Sequence, residues 1–281
     1  MAINILHDNY GKSRVRLVKV ARTSNRHELQ NLTVNIALEG NFDAIHTKGD
    51  NSLCLPTDTM KNTVYALAGE TQQIENIEAF GRRLTDHFLK NNPQVSQVTI
   101  DIFEHGWKRM KFDGHEHDHS FVKGSGEKRT AKISASRDGV TIESGVEDLI
   151  VLKTTHSGFV GFIKDAFTTL PETTDRIFST AIKATWRYSN ADAATDETFQ
   201  KIRQTILKVF AEHDSLSVQH TLYAIGETIL NDFPDVEEIA FSLPNIHCLP
   251  VDMTKFAQKN DNRIFVPTDE PHGLIEARLA R

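Results

Sequence analysis

Asn31-Leu32-Thr33-Val34-Asn35-Ile36-Ala37-Leu38 alternates a large aliphatic side chain with a small or polar one through four repeats. Successive side chains of an extended backbone point to opposite faces, so the stretch predicts a strand with Leu32, Val34, Ile36 and Leu38 on one buried face. Upstream, Val15 and Leu17, then Val18 and Val20, predict a second strand whose phase shifts midway, and the two strands are expected to pair antiparallel. After Asn51 the period changes. Met60, Val64 and Leu67 recur at helical spacing, and Ile74, Ile77, Leu84 and Phe88 do so again, which predicts two helices. Val98, Ile100 and Ile102 return to alternation, with further strands predicted at Arg109 to Phe112 and Thr130 to Ser134.

The second half repeats this order: strands at Gly145 to Lys153 and Ile182 to Tyr188, a helix through Phe199, Ile202, Ile206 and Phe210, another through Val218, Leu222, Ile225 and Ile229, then strands at Glu238 to Leu243 and Cys248 to Asp252. The expectation is an α+β chain of two tandem domains, 1–140 and 141–281, each with antiparallel strands and paired helices. Such sheets have edges that need covering, and pairing them between subunits into a closed barrel is one way to do so.

Of the 281 residues 39% are hydrophobic, enough for a sizeable core and against extensive disorder. No run of 18 apolar residues occurs and the first residues lack a basic flank and apolar core, so neither a membrane span nor a signal peptide is expected. A net charge of -6 without a basic stripe argues against a nucleic-acid partner. Cys54 and Cys248 form neither a disulfide framework nor a Cys-x-x-Cys knuckle, and a reducing compartment is the simpler expectation.

Several segments could carry chemistry. Pro56-Thr57-Asp58-Thr59 stands directly before a helical run, where Thr57 and Asp58 would cap free N–H groups or leave them for an anion or a polarised small molecule. Lys12, after Gly11, sits at a strand entrance and reads by itself as a solvated edge residue. Arg176 reads either as a surface partner of Asp175 or Glu172, or as a two-pronged donor to a planar anion. Phe159 among Gly158, Gly161 and Phe162 reads as core; Gln219 and His247 carry little signal singly. His115, His117 and His119 alternate, and a metal site, a proton relay and a solvated strand face are all open for them.

Taken together the segments say more. Tyr10-Gly11-Lys12, Asp50-Asn51-Ser52 with Pro56-Thr57-Asp58-Thr59-x-Lys61-Asn62-Thr63, Val151-Leu152-Lys153-Thr154-Thr155, Gly158-Phe159-Val160-Gly161-Phe162, Thr168 through Arg176, Val218-Gln219, Ser242-Leu243-Pro244-Asn245-Ile246-His247 and Gly273-Leu274-Ile275-Glu276 resemble the urate oxidase (uricase) family in order and spacing. The resemblance spans nearly the whole chain. It implies two tandem tunnelling-fold domains, four chains stacked into a barrel, active sites at subunit interfaces, and oxidation of urate by dioxygen and water to 5-hydroxyisourate and hydrogen peroxide with no cofactor and no metal.

Residue by residue, the resemblance gives Lys12 the place of a catalytic lysine, Thr57 that of a threonine partnering it from a neighbouring subunit, and His247 that of the histidine completing a proton relay. Arg176 and Gln219 would grip the purine edge, Phe159 would stack on its face, and Asn245 with Thr57 would hold dioxygen or water above the ring. The backbone N–H groups of Asp58 and Val218 would complete the contacts. A base is needed because urate must lose protons before it is electron-rich enough to reduce dioxygen directly, and a lysine stripped of part of its hydration gives up its own proton more readily.

Two departures stand out. Ile246 replaces a lysine common in the family, and the chain ends in Glu-Ala-Arg-Leu-Ala-Arg without a Ser-Lys-Leu peroxisomal tripeptide, which favours a cytoplasmic enzyme. The alternatives are a tunnelling-fold enzyme acting on a pterin or purine-like ring through histidine-bound zinc, and a purine-binding multimer without catalysis. The family's own His-x-His-Ser-Phe stretch matches His117, His119, Ser120 and Phe121, leaving only His115 extra. The histidines are therefore expected on a strand near a subunit contact or tunnel wall.

Overall fold

The computed structural model describes residues 3–281. The chain divides into two compact units: residues up to Gly145 together with Arg187–Thr198, and Val146–Trp186 together with Phe199–Arg281.

The first unit opens with β1, Tyr10–Ala21, antiparallel to β2, Glu28–Gly40. Leu32, Val34, Ile36 and Leu38 are all fully or almost fully buried, each burial stabilising by about 1.5–3 kcal/mol. β3, Val95–Phe112, lies on the other side of β2 and sets Ile100 opposite Ile36 and Ile102 opposite Val34; β4, His115–Ser136, returns along β3. The strand order here is β1-β2-β3-β4. Helices α2, Thr57–Gly69, and α3, Ile77–Asn91, bury Met60 and Val64, and Phe80, Leu84 and Phe88 respectively.

The periodic segments are where the pattern puts them, with four differences. The shift in β1 falls earlier than the apolar residues suggest. Register with β2 slips between Lys12 and Val15, a bulge at Ser13 and Arg14 with Arg14 at φ 60, and runs unbroken from Val15 to Ala21, leaving Val18 exposed. Arg109 to Phe112 is the outer end of the 18-residue β3, which crosses register shifts at His105/Trp107 and Arg109/Lys111. A short helix α1, Asp43–Lys48, intervenes; it buries no side chain and so leaves no apolar period to read. Ile74 lies outside α3, buried, with its backbone bonded both ways to the Gln30 side chain.

In the second unit, β5, Val140–Lys153, enters from the first, followed by β6, Phe178–Tyr188, α4, Asp196–Glu212, α5, Val218–Asp232, and β7, Val236–Pro244. The helices bury the expected stripes, Phe199, Ile202, Ile206 and Phe210 on α4 and Val218, Leu222, Ile225 and Ile229 on α5. The strand predicted at Cys248 to Asp252 is the four-residue β8, His247–Pro250, paired only with β9, Phe265–Thr268. β10, Leu274–Ala280, lies along β7 in the order β6-β7-β10, an element whose half-exposed sequence carries no clean alternation. The α+β class, with antiparallel strands and a helix pair in each unit, is as the sequence predicts.

Candidate active site

Two constellations hold the candidate residues, one in each unit. In the first, Gly11 lies so close to β2 that a Cβ placed on it would sit 1.8 Å from the Ile36 carbonyl oxygen, which requires glycine there. On either side of it, Tyr10 pairs with Leu38 and Lys12 with Ile36, and the bulge follows at once. The Tyr10 hydroxyl accepts the Leu55 N–H at 2.8 Å, tying the start of β1 to the residue before Pro56. Burial, and then Cys54 beside it, push this phenol up to about 12.

Pro56, not Thr57 or Asp58, is the N-cap of α2, and no side chain caps the helix. The capping reading of Thr57 and Asp58 therefore fails. The Asp58 carboxylate instead accepts from Lys61 at 2.5 Å and Asn62 at 2.9 Å. Lys61 holds its pKa below the usual carboxylate range, with a smaller contribution from Lys12. The N–H groups of the first turn thus keep their positive potential beside a lysine.

In the second unit a cavity of about 440 Å³ is lined by Phe159, Arg176, Val218, Asn245 and His247, with Thr154, Ile246 and Cys248 among the others. Phe159 is fixed by a two-way backbone bridge, its N–H donating to Thr173 O at 2.7 Å and its carbonyl accepting from Thr173 N at 3.1 Å. Its ring stacks on Phe162, centroids 4.8 Å apart and planes within 13°, so it is a platform at a cavity wall rather than a core residue. Arg176 donates its backbone N–H to Ser157 O, and its guanidinium lies 5.3 Å from the Phe159 ring centroid.

The surface-pair reading of Arg176 fails as well. Asp175 accepts from Thr155, Glu172 pairs with Lys164 at 3.0 Å, and burial alone lowers the Arg176 pKa. Arg176 is thus a half-buried guanidinium in a cavity wall whose lining carboxylates, Glu172 and Asp175, are bonded to Lys164 and Thr155, and it is a ready receptor for a planar anion. Val218 and Gln219 are the first two residues of α5, whose cap is Ser217 accepting from His220 N at 3.1 Å. Val218 lines the cavity, whereas Gln219 is exposed and outside its lining. Asn245 Oδ1 is buried without a hydrogen-bond partner, an acceptor left for a donor in the cavity. His247 opens β8 opposite Thr268.

A family model described as Uricase matches residues 8–134 and 142–276, most of the chain. The chain belongs to the uricase family. A uricase of Arthrobacter globiformis is 42% identical over 98% of this chain and 89% of its own length, and one of Emericella nidulans is 39% identical over 97% and 95%. The crystal structure of the Arthrobacter globiformis uricase superposes with a TM-score of 0.95 at 41% identity, covering all of this chain and 96% of that one. A urate oxidase from Bacillus sp. TB-90 gives 0.85 at 26% identity, over 98% of this chain and 100% of its own.

Against that family background, the histidine cluster falls into place as strand residues. His115, His117 and His119 open β4, the rings of His117 and His119 lie 4.6 Å apart, and His27 adds a fourth ring 5.8 Å from His119. Among the described residues no three His, Cys, Asp or Glu side chains converge as metal ligands. Cys54 and Cys248 are free thiols, half-buried. Sequence reading missed the Tyr10–Leu55 tie and the role of Gly11; a tyrosine and a glycine directly before the candidate lysine were the available signal.

Proposed function

We propose that this chain oxidises urate with dioxygen and water to 5-hydroxyisourate and hydrogen peroxide. The observation that carries this is the cavity of the second unit, where a guanidinium without a counter-ion, an aromatic platform, a helix start and an unpartnered amide oxygen converge. Arg176 and Gln219 grip the edge of the purine, Phe159 stacks on its face, and the Val218 N–H donates to a ring acceptor. Asn245 holds dioxygen or water above the ring. Val218 and Asn245 already line the cavity; Gln219 reaches the ligand by turning in from its exposed position at the α5 start.

Lys12, Thr57 and Asp58 belong to the first unit, and the cavity lining contains none of them. The proposal therefore includes assembly: in a homotetramer of tandem tunnelling-fold chains, a neighbouring copy brings Lys12, Thr57 and the Asp58 N–H to each cavity. Lys12 and the α2 start come together from one chain, which the bond from Leu55 N to the Tyr10 hydroxyl, two residues from each, supports. Lys12 takes a proton from urate, the Thr57 hydroxyl relays it, and His247 exchanges it with water. The resulting dianion reduces dioxygen.

The test is loss of urate absorbance with stoichiometric peroxide in chelator-treated protein, with scattering to count subunits. Lys12→Ala is expected to lower kcat by about 10²–10⁴-fold with urate still bound, whereas Arg176→Ala mainly raises KM. Activity abolished by chelator, or near-normal turnover by the Lys12 variant, would sink the proposal.

A further inference from the structure

Resting on the reading of the cavity as a urate site, we infer that Thr221 is a positioning residue: its hydroxyl bonds to Ser215 and His213 set the start of α5 against the loops that carry Phe159 and Arg176. Neither Thr221, Ser215, His213 nor Lys153 lines the cavity, so whatever they contribute to binding passes through residues that do.

Thr221 is 0% and Ser215 1% exposed. The Thr221 hydroxyl donates to Ser215 Oγ at 2.7 Å, and Ser215 Oγ donates in turn to the Ser217 carbonyl at 3.1 Å, the residue that caps α5. The single proton of Thr221 is thereby used, so the His213 Nδ1 at 3.1 Å must carry a hydrogen and donate to it. Burial, then His220 and Lys153 nearby, lower the His213 pKa against a raising contribution from Asp214, which favours the neutral ring. The Lys153 amine clamps the same loop by donating to the His213 carbonyl at 2.6 Å, with the Phe210 and Phe178 ring centroids 5.6 and 5.9 Å away.

The other side of Ser215 faces the substrate loops. Its N–H donates to His156 O at 2.9 Å and its carbonyl accepts from Gly158 N at 2.8 Å, a parallel bridge centred on Ser157. Phe159 follows Gly158 directly, and Ser157 O accepts the Arg176 N–H. Gly158 is wedged in place, since a Cβ on it would lie 3.1 Å from the Thr174 carbonyl oxygen. One residue, Ser215, thus connects the platform, the anion receptor and the helix start, and its side chain is fixed by Thr221. A shift of about 1 Å in groups that align a substrate is costly in rate or affinity, which gives this buried polar knot its function.

Thr221→Val keeps the volume and removes the donor, and is expected to raise KM for urate, and the Kd of urate measured without oxygen, about tenfold, or ~1.4 kcal/mol, with kcat within about twofold. Thr221→Ser restores both. Hydrogen exchange, which needs no urate, should show the amides of Gly158, Phe159 and Arg176 speeding up together with Ser215. Ser215→Ala serves if the valine variant does not fold. A lowered melting temperature with KM unchanged, or faster exchange confined to α5, overturns the inference. A wild-type chain that does not consume urate overturns the functional reading instead, and exchange then decides the positioning claim alone.

Discussion

Gly11→Ala tests whether the strand before the bulge aims Lys12. The added Cβ would stand 1.8 Å from the Ile36 carbonyl oxygen and 2.7 Å from its carbon, backbone atoms of β2 that cannot swing aside as a side chain would. A carbon–oxygen contact settles at about 3.3 Å or more, so β1 must withdraw by about 1.5 Å or unpair locally around Tyr10 and Lys12. Withdrawal of that size at a reacting group costs on the order of 10²-fold in rate. The same movement strains the Tyr10 hydroxyl bond to Leu55 N, which joins β1 to the α2 start, so Lys12 and Thr57 lose their alignment together. The assay is steady-state urate consumption beside far-UV circular dichroism and anaerobic urate binding. The expected result is native-like dichroism, urate affinity within a few-fold of wild type and kcat lowered about 100-fold or more. Turnover within about threefold of wild type in a folded Gly11→Ala protein would refute the reasoning, because β1 would then have absorbed the methyl without moving the lysine.

Two further predictions concern the buried charges of the first unit. Glu78, with 1% of its side chain exposed, accepts from Arg129 at 2.7 Å and from Ser144 at 2.5 Å, while Arg129 also reaches Asp196 at 2.5 Å. Glu78→Ala strands part of that guanidinium and should cost about 3–5 kcal/mol, a fall of roughly 6–20 °C in melting temperature for a unit of this size; an unchanged scan would contradict it. Burial raises the Glu104 carboxyl against the pull of Arg129. The folded state then holds its proton more tightly than the unfolded chain, so this group's contribution is full below the ordinary carboxylate range and is lost as pH rises through the raised value. Glu104→Gln should therefore raise the melting temperature at about pH 8 more than at about pH 5, and a gain confined to the acid side would reverse the sign of the argument.

The elements legible in the sequence are those whose burial is one-sided. Leu32 to Leu38 on β2 and Phe199 to Phe210 on α4 each bury one face completely, and a period survives only where one face is dry. In β1 the bulge lies at Ser13 and Arg14, polar residues with no apolar phase to lose, so the hydrophobic residues put the shift at Val18, the next break among them. The outer half of β3 and the first half of β4 are largely exposed, and β10 is open along most of its length, so no alternation marked their extent.

The site was legible in a different way. Singly, each candidate had a bland reading, and geometry had to remove it: Thr57 and Asp58 do not cap α2, Arg176 has neither Asp175 nor Glu172 as a partner, and Phe159 stands at a cavity wall. What sequence could not express is how these positions are held. Gly11 is required by a carbonyl 25 residues downstream in β2, and Phe159 and Arg176 are fixed through Ser157 by a serine that follows α4. Contacts of this separation leave no local pattern, because the partner that makes a residue indispensable lies on another element. The binding groups could thus be named from short motifs, whereas the precision with which they meet a planar purine is a property of the sheet pairing and of the Ser215 bridge. Substitutions at the supporting positions should accordingly act on KM and kcat separately, according to which constellation each one supports.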